Sequence, residues 1–433
     1  MLGRIPGSRG RLFADTTPLR TPDFRRLWLA GIVTVVGANL TIFAVPVQLY
    51  ALTQNSAYVG LSGVFALVPL IVFGLWGGAW ADAMDRRVLL IIASVGLAAA
   101  SVLLWVQALL NVNNVWVVLC LLSVQQAFYA INSPTRAAAI PRMLPGDQLA
   151  AANSLNMTVM QFGAIVGPLL AGVMLRWVDL STLYLIDAIF CFAPIWATFR
   201  LAPMPPSGGV QNSSGWGFRA VLDGFRHLSG NQVVLMSFVV DLVAMVFGMP
   251  RALFPQMAHE SFGGPVEGGL TMALLAAAMS VGAVAGGVFS GWLPRIRRQG
   301  VAVVASIVVW GVAMVGFGLA GGFARGSAGV FLWIALGCLA IGGAADMVSA
   351  AFRSTILQQA TSDDLRGRLQ GVFTVVVAGG PRLADAAHGA TAAVVGTTAA
   401  AAGGGALVVV GMAGVALLAP AFLRYRTPDD TKP

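Results

Sequence analysis

The sequence predicts an all-α integral membrane protein with twelve transmembrane helices in two six-helix pseudo-repeat bundles. Three observations carry this. First, 58% of the 433 residues are hydrophobic and only 10% are charged, whereas a soluble chain needs roughly a quarter of its residues charged. Second, the apolar runs are about twenty residues or longer, the length a helix needs to cross a bilayer. Ten-residue alternating segments, which would suggest a barrel, are absent. Third, the connections alternate between arginine-bearing and arginine-poor.

In chain order, residues 1–26 form a basic arm with six arginines and no apolar core of signal-peptide length. Thr21-Pro22-Asp23 reads as a helix start. The expected spans are 27–52, 58–81, 88–110, 115–135, 154–177 and 181–201, then 232–255, 269–293, 301–321, 329–352, 371–395 and 398–422. The stretch 202–231, with Pro203, Pro205, Pro206, Gly208 and Gly209, is read as a linker between bundles 27–201 and 232–422. Residues 423–433 are a tail. All but four of the 26 basic residues (Arg176, Arg251, Arg325 and Arg382) fall on the side shared with the N-terminus. This predicts a multi-pass protein of the cell membrane with both termini cytoplasmic. It also accounts for the net charge of +9 without a nucleic-acid partner.

Several chemistries lack their residues. Lysine occurs once, as Lys432, so there is no phosphate-cradling Gly-Lys-Ser/Thr loop and no intramembrane lysine for a Schiff base. Cys120, Cys191 and Cys338 lie in apolar runs and read as packing residues. His227, His259 and His388 have no metal-ligand spacing. No cofactor or metal is expected.

The stretch Gly78-Ala79-Trp80-Ala81-Asp82-Ala83-Met84-Asp85-Arg86-Arg87 joins spans 2 and 3. Asp85 fits an N-cap for the next helix. Asp82 falls at the C-terminal end of the preceding helix, where the dipole disfavours an anion, so it needs a partner from elsewhere. The plain alternative is a short basic loop. The halves echo each other. Gly77-Gly78 precedes Arg86 as Gly286-Gly287 precedes Arg295, with Gly291 in the place of Asp82. Arg136 after span 4 corresponds to Arg353 after span 10. Parallel six-span repeats are a transporter architecture.

On these residues the chain resembles the major facilitator superfamily, specifically its enterobactin-exporter-like branch for drug and siderophore efflux. Gly78, Asp82, Arg86 and Arg87 match the family's loop motif, from which Trp80, Ala83 and Asp85 depart. Asn132-Ser133-Pro134-Thr135-Arg136, Phe247–Pro255 and Leu365-Arg366-Gly367-Arg368 are also similar. Span 5 carries Gly163, Gly167, Pro168 and Gly172, similar to the antiporter motif of exporters, with Ala171 replacing one glycine. The arginine that many drug–proton antiporters carry in span 4 is absent from Leu121–Gln126. The resemblance implies alternating-access export of a small organic molecule, with protons as the coupling ion. It also implies that Asp82 meets the start of span 11 and helps lock one conformation.

Ionisable side chains within spans are functional candidates by default. Here they are Asp187, Asp241, Asp346, and the Arg382/Asp385 pair three apart, with His388 one turn further. Asp241 is the coupling candidate, a buried carboxylate able to take a proton outside and release it inside; a structural pairing is its alternative. Arg382 and Asp385 are expected to pair on one helical face. Asn39 and Gln48 are substrate candidates among the uncharged polar residues, whose commoner role is helix-to-helix hydrogen bonding. Rival classes are a membrane-embedded enzyme, an uptake transporter and a channel.

Overall fold

The computed structural model describes residues 15–205, 232–359 and 363–425. For Leu75, 77–79, 81–82, Pro294 and residues 358–359 and 363–375 it describes the backbone alone. The helices are α1 Pro22–Thr53, α2 Ser56–Ala83, α3 Arg86–Leu109, α4 Val115–Met143, α5 Leu149–Met174 and α6 Leu180–Phe199. They continue with α7 Gln232–Gly248, α8 Leu270–Val288, α9 Gln299–Ala324, α10 Val330–Gln359, α11 Asp363–Val395 and α12 Thr397–Leu418. Eleven segments of the described chain are long and apolar enough to cross a membrane. The twelfth predicted span corresponds to α11, whose first turns carry Asp363, Asp364, Arg366 and Arg368.

The local chemistry explains where helices start. Asn55 and Asn114 accept the backbone N–H two residues ahead and cap α2 and α4. Asp85 does the same for α3, accepting from Arg87 N at 2.8 Å. Its carboxylate also accepts Met204 N, which ties the chain leaving α6 to the head of α3. Helix α6 breaks at Cys191, between Leu180–Phe190 and Phe192–Phe199.

Helices α1–α6 pack among themselves, α1 on α5 and α6, α4 on α2 and α3; α7–α12 form the second bundle, α9 on α10 and α12, α7 on α11. The bundles meet along two seams, α2 with α11 and α5 with α8. Both seams close at the rim that carries the arginine-poor connections. There a Cβ on Gly60 would lie 2.8 Å from Gly389 Cα, and one on Gly389 would lie 2.6 Å from Ser56 O. Only glycine permits that backbone approach. Two hydrogen bonds cross the same rim: Tyr50 donates to Glu260 Oε1 at 2.9 Å, and Ser56 donates to Gln256 Oε1 at 2.5 Å. Gln256 donates in turn to both Glu260 oxygens at 3.0 Å.

Two helix ends differ from the sequence expectation. Arg136 and Arg353 were expected just beyond spans 4 and 10, but both lie inside their helices. Hydropathy falls where a helix turns a polar face inward, while the helix itself goes on. Span 7 was expected to be continuous over 232–255. Its helix stops at Gly248, and a short turn, Arg251–Leu253, precedes further helical residues to Ser261.

Candidate functional site

The interruption in span 7 is supported on both sides. Pro250 has no N–H to offer Val246, and the chain leaves helical geometry at Met249. The carbonyls of Phe247 and Gly248 thereby lose their helical donors. His388 Nε2 of α11 lies 3.1 Å from Phe247 O, and Trp310 Nε1 of α9 donates to Gly248 O at 2.9 Å. Trp310 is fully buried. His388 was expected to extend the Arg382/Asp385 pair; it serves this carbonyl instead, because the break leaves an acceptor that the low-dielectric interior cannot leave unpaired.

Around this break the second bundle gathers its charges. Asp241 on α7 forms an ion pair with Arg353 on α10, and both side chains are almost fully buried. Arg353 Nη2 also lies 3.7 Å from Asp346, one quarter exposed, on its own helix. Arg382 and Asp385 pair on α11 at 4.0 Å, as their spacing predicts. Arg251, exposed at the break, is in electrostatic range of Asp346, Arg382 and Asp385. By helical rise, Asp241 is about 14 Å from the start of α7. Asp346 is about 24 Å from the opposite end of α10. The ionisable groups therefore form a file from the arginine-rich rim toward the sealed rim.

In the first bundle, Asp187 on α6 is 1% exposed and has hydroxyl partners. Thr41 of α1 and Ser101 of α3 donate to its Oδ2 at 2.7 and 2.8 Å, and Gln125 of α4 donates to Ser101. Gln48 is taken up in the same manner. It exchanges hydrogen bonds with Gln107 at 3.1 Å and accepts from Tyr184 at 2.8 Å. That satisfies it within its bundle, in the helix-to-helix role expected as the commoner one. Asn39 donates to Val35 O of its own helix at 2.8 Å and packs against α5.

The motif residues have distinct placements. A Cβ on Gly163 would overlap Val35, and one on Gly167 would overlap Asn39, so these glycines seat α5 on α1. A Cβ on Gly172 would overlap Ala273 and lie 2.7 Å from Gly269 O, so this glycine seats α5 on α8 of the other bundle. Pro168 lies within α5. Arg136 Nη2 donates to Leu27 O at 3.1 Å, in a gap kept open by Gly31. Arg87 donates to Phe199 O at 2.8 Å and so closes the C-terminal end of α6. Arg86 N donates to Met204 O. Asp82 is in the last turn of α2, as expected. Its side chain and those of residues 77–79 and of the first turns of α11 lie outside what is described, as does the linker 206–231.

Sequence reasoning missed Tyr50, Gln256 and Glu260 as an inter-bundle clasp, and noted Arg353 only as a repeat mark. The available signal was the position of a tyrosine and a glutamate at the ends of spans 1 and 7.

Two bundles of six membrane helices, closed on each other at one rim and carrying ion-paired side chains within the second bundle, define an alternating-access membrane transporter. The Major Facilitator Superfamily profile matches residues 27–384, and the chain belongs to that family. Among curated relatives, the Enterobactin exporter EntS of Citrobacter koseri is 26% identical over 410 residues, covering 94% of each chain. The protein of the same name from Salmonella typhi is 27% identical over 357 residues, covering 82% of this chain and 81% of its own. Among solved structures, a bacterial homologue of the human lysosomal transporter Spinster, inward-facing and unoccupied, superposes with a TM-score of 0.72. It is 15% identical and covers 96% of this chain and 100% of its own. A bacterial homologue of the iron transporter ferroportin, inward-facing, gives 0.64 at 16% identity, covering 93% and 97%.

Proposed function

We propose that this protein exports a small siderophore-like or drug-like molecule from the cytoplasm, with proton entry coupled through Asp241. The relatives' names support the substrate class, and the arginine distribution supports cytoplasmic termini. With that orientation the sealed rim faces outward and the structure is the inward-facing state. Asp82, with Gly78 and Arg86, sits at the opposite rim, where it would clasp the outward-facing state.

The observation that carries the reading is the buried Asp241–Arg353 pair between α7 and α10, with Asp346 a second acceptor 3.7 Å from the same guanidinium. Protonation of Asp241 removes its hold on Arg353, which then pairs with Asp346 and loosens α7 from α10. A charge pair with two alternative partners is a bistable element that a proton can bias. One proton moving down 100 mV supplies about 2.3 kcal/mol, enough for a roughly fifty-fold gradient of a neutral solute.

The test is accumulation of enterobactin by inside-out vesicles carrying the protein, with and without an acidic lumen. An acidic lumen is expected to raise accumulation of chemically unaltered enterobactin, and Asp241→Asn to abolish that dependence. Unchanged dependence in the variant would move coupling away from Asp241. A chemically altered product would favour an enzyme, and flux only in the reverse direction would favour uptake.

A further inference from the structure

Arg251 stands apart from the other charges of the second bundle. It is the first residue after the interruption of span 7, a discontinuity whose free carbonyls are already met by His388 and Trp310. The turn it opens packs against α2 of the first bundle and α11 of the second, so it lies at the inter-bundle seam. Its neighbours Pro250 and Ala252 are buried while Arg251 is exposed. Arg353 and Arg382 each have a carboxylate within ion-pair distance. Among the described residues Arg251 has none, although Asp346 and Asp385 lie further off within electrostatic range. A guanidinium exposed at the seam between the bundles, with no carboxylate bound, offers forked donors to an oxyanion. Discontinuous membrane helices commonly help form substrate sites in transporters.

We infer that Arg251 is the specificity-determining contact for an oxyanion on the substrate, a carboxylate or catecholate, and that the protein prefers anionic cargo. This rests on the export reading above. It has an energetic corollary: with the cell interior negative, outward passage of a monoanion is favoured about fifty-fold per 100 mV without any proton.

The test uses an efflux-deficient bacterium expressing the full chain. It is challenged with matched inhibitors: aryl carboxylates and catechols, their uncharged methyl esters and ethers, and quaternary ammonium compounds. The wild type is expected to raise the inhibitory concentration of anionic members. Arg251→Gln should lose at least ten-fold of that protection while sparing any shown toward uncharged members, and Arg251→Lys should keep most of it. Immunoblots of membranes establish equal insertion. Protection confined to uncharged or cationic compounds, or an equal loss for all classes in Arg251→Gln, would overturn the anion role and leave export standing. Protection against no compound would overturn the export reading and this inference with it.

Discussion

Asp187 and Asp241 are both aspartates 1% exposed in the middle of a membrane bundle, yet they are held by different chemistry. Asp187 is met by the hydroxyls of Thr41 and Ser101, and Asp241 by the guanidinium of Arg353. The same contrast extends outward from each. The first bundle adds the neutral trio Gln48, Gln107 and Tyr184. The second adds Asp346, Arg382, Asp385 and Arg251. The trio joins α1, α3 and α6 through hydrogen bonds between uncharged groups. An ion-paired file changes its energetics with each proton or charged solute. On the export reading proposed above, the comparison makes the first copy of the repeat the scaffold and the second the working part.

The largest test of that contrast is Arg353→Ala. It strands the Asp241 carboxylate in a low-dielectric interior, and thermal unfolding in nanodiscs should show a loss of about 3–5 kcal/mol. The double variant Asp241→Asn/Arg353→Gln should recover most of this, because it removes both charges together. A small loss in the single variant would mean that the pair is already hydrated and loosely held. Ser101→Ala, in the first bundle, leaves Asp187 short of one donor and should cost about 1–3 kcal/mol. Vesicle transport by that variant should keep its response to an imposed pH gradient; loss of the response would give the scaffold a share in coupling. Smallest is Tyr50→Phe, which deletes one hydrogen bond of the clasp to Glu260 and should weaken the seal by about 0.5–1.5 kcal/mol. Cysteine labelling at the sealed rim should report more frequent opening, and unaltered labelling would show that the glycine seam alone holds it.

Hydropathy made the spans legible because each helix must hide its backbone from lipid, and that demand writes itself into some twenty consecutive residues. It did not mark the ends of α4 and α10. There the chain stays helical while its arginines meet partners on neighbouring helices, so Arg136 and Arg353 fell outside the apolar count and inside the fold. Pro250 carried a signal for the interruption of span 7 that the reading of 232–255 as one span passed over, and sequence alone could not show that the distant His388 and Trp310 would satisfy the freed carbonyls. The partners of Asp187 lie 146 and 86 residues distant in sequence, a pairing that only packing reveals. The Arg382/Asp385 pair was readable because three residues along a helix place two side chains on one face.

The measurement that bears most directly on the division of labour is the pH-gradient dependence of enterobactin accumulation in vesicles carrying Asp241→Asn or Asp187→Asn. The account predicts that Asp241→Asn flattens the dependence, while Asp187→Asn lowers stability and leaves the dependence of the surviving protein intact. A flattened response in Asp187→Asn with a normal one in Asp241→Asn would place the working charge in the wrong bundle and contradict the account.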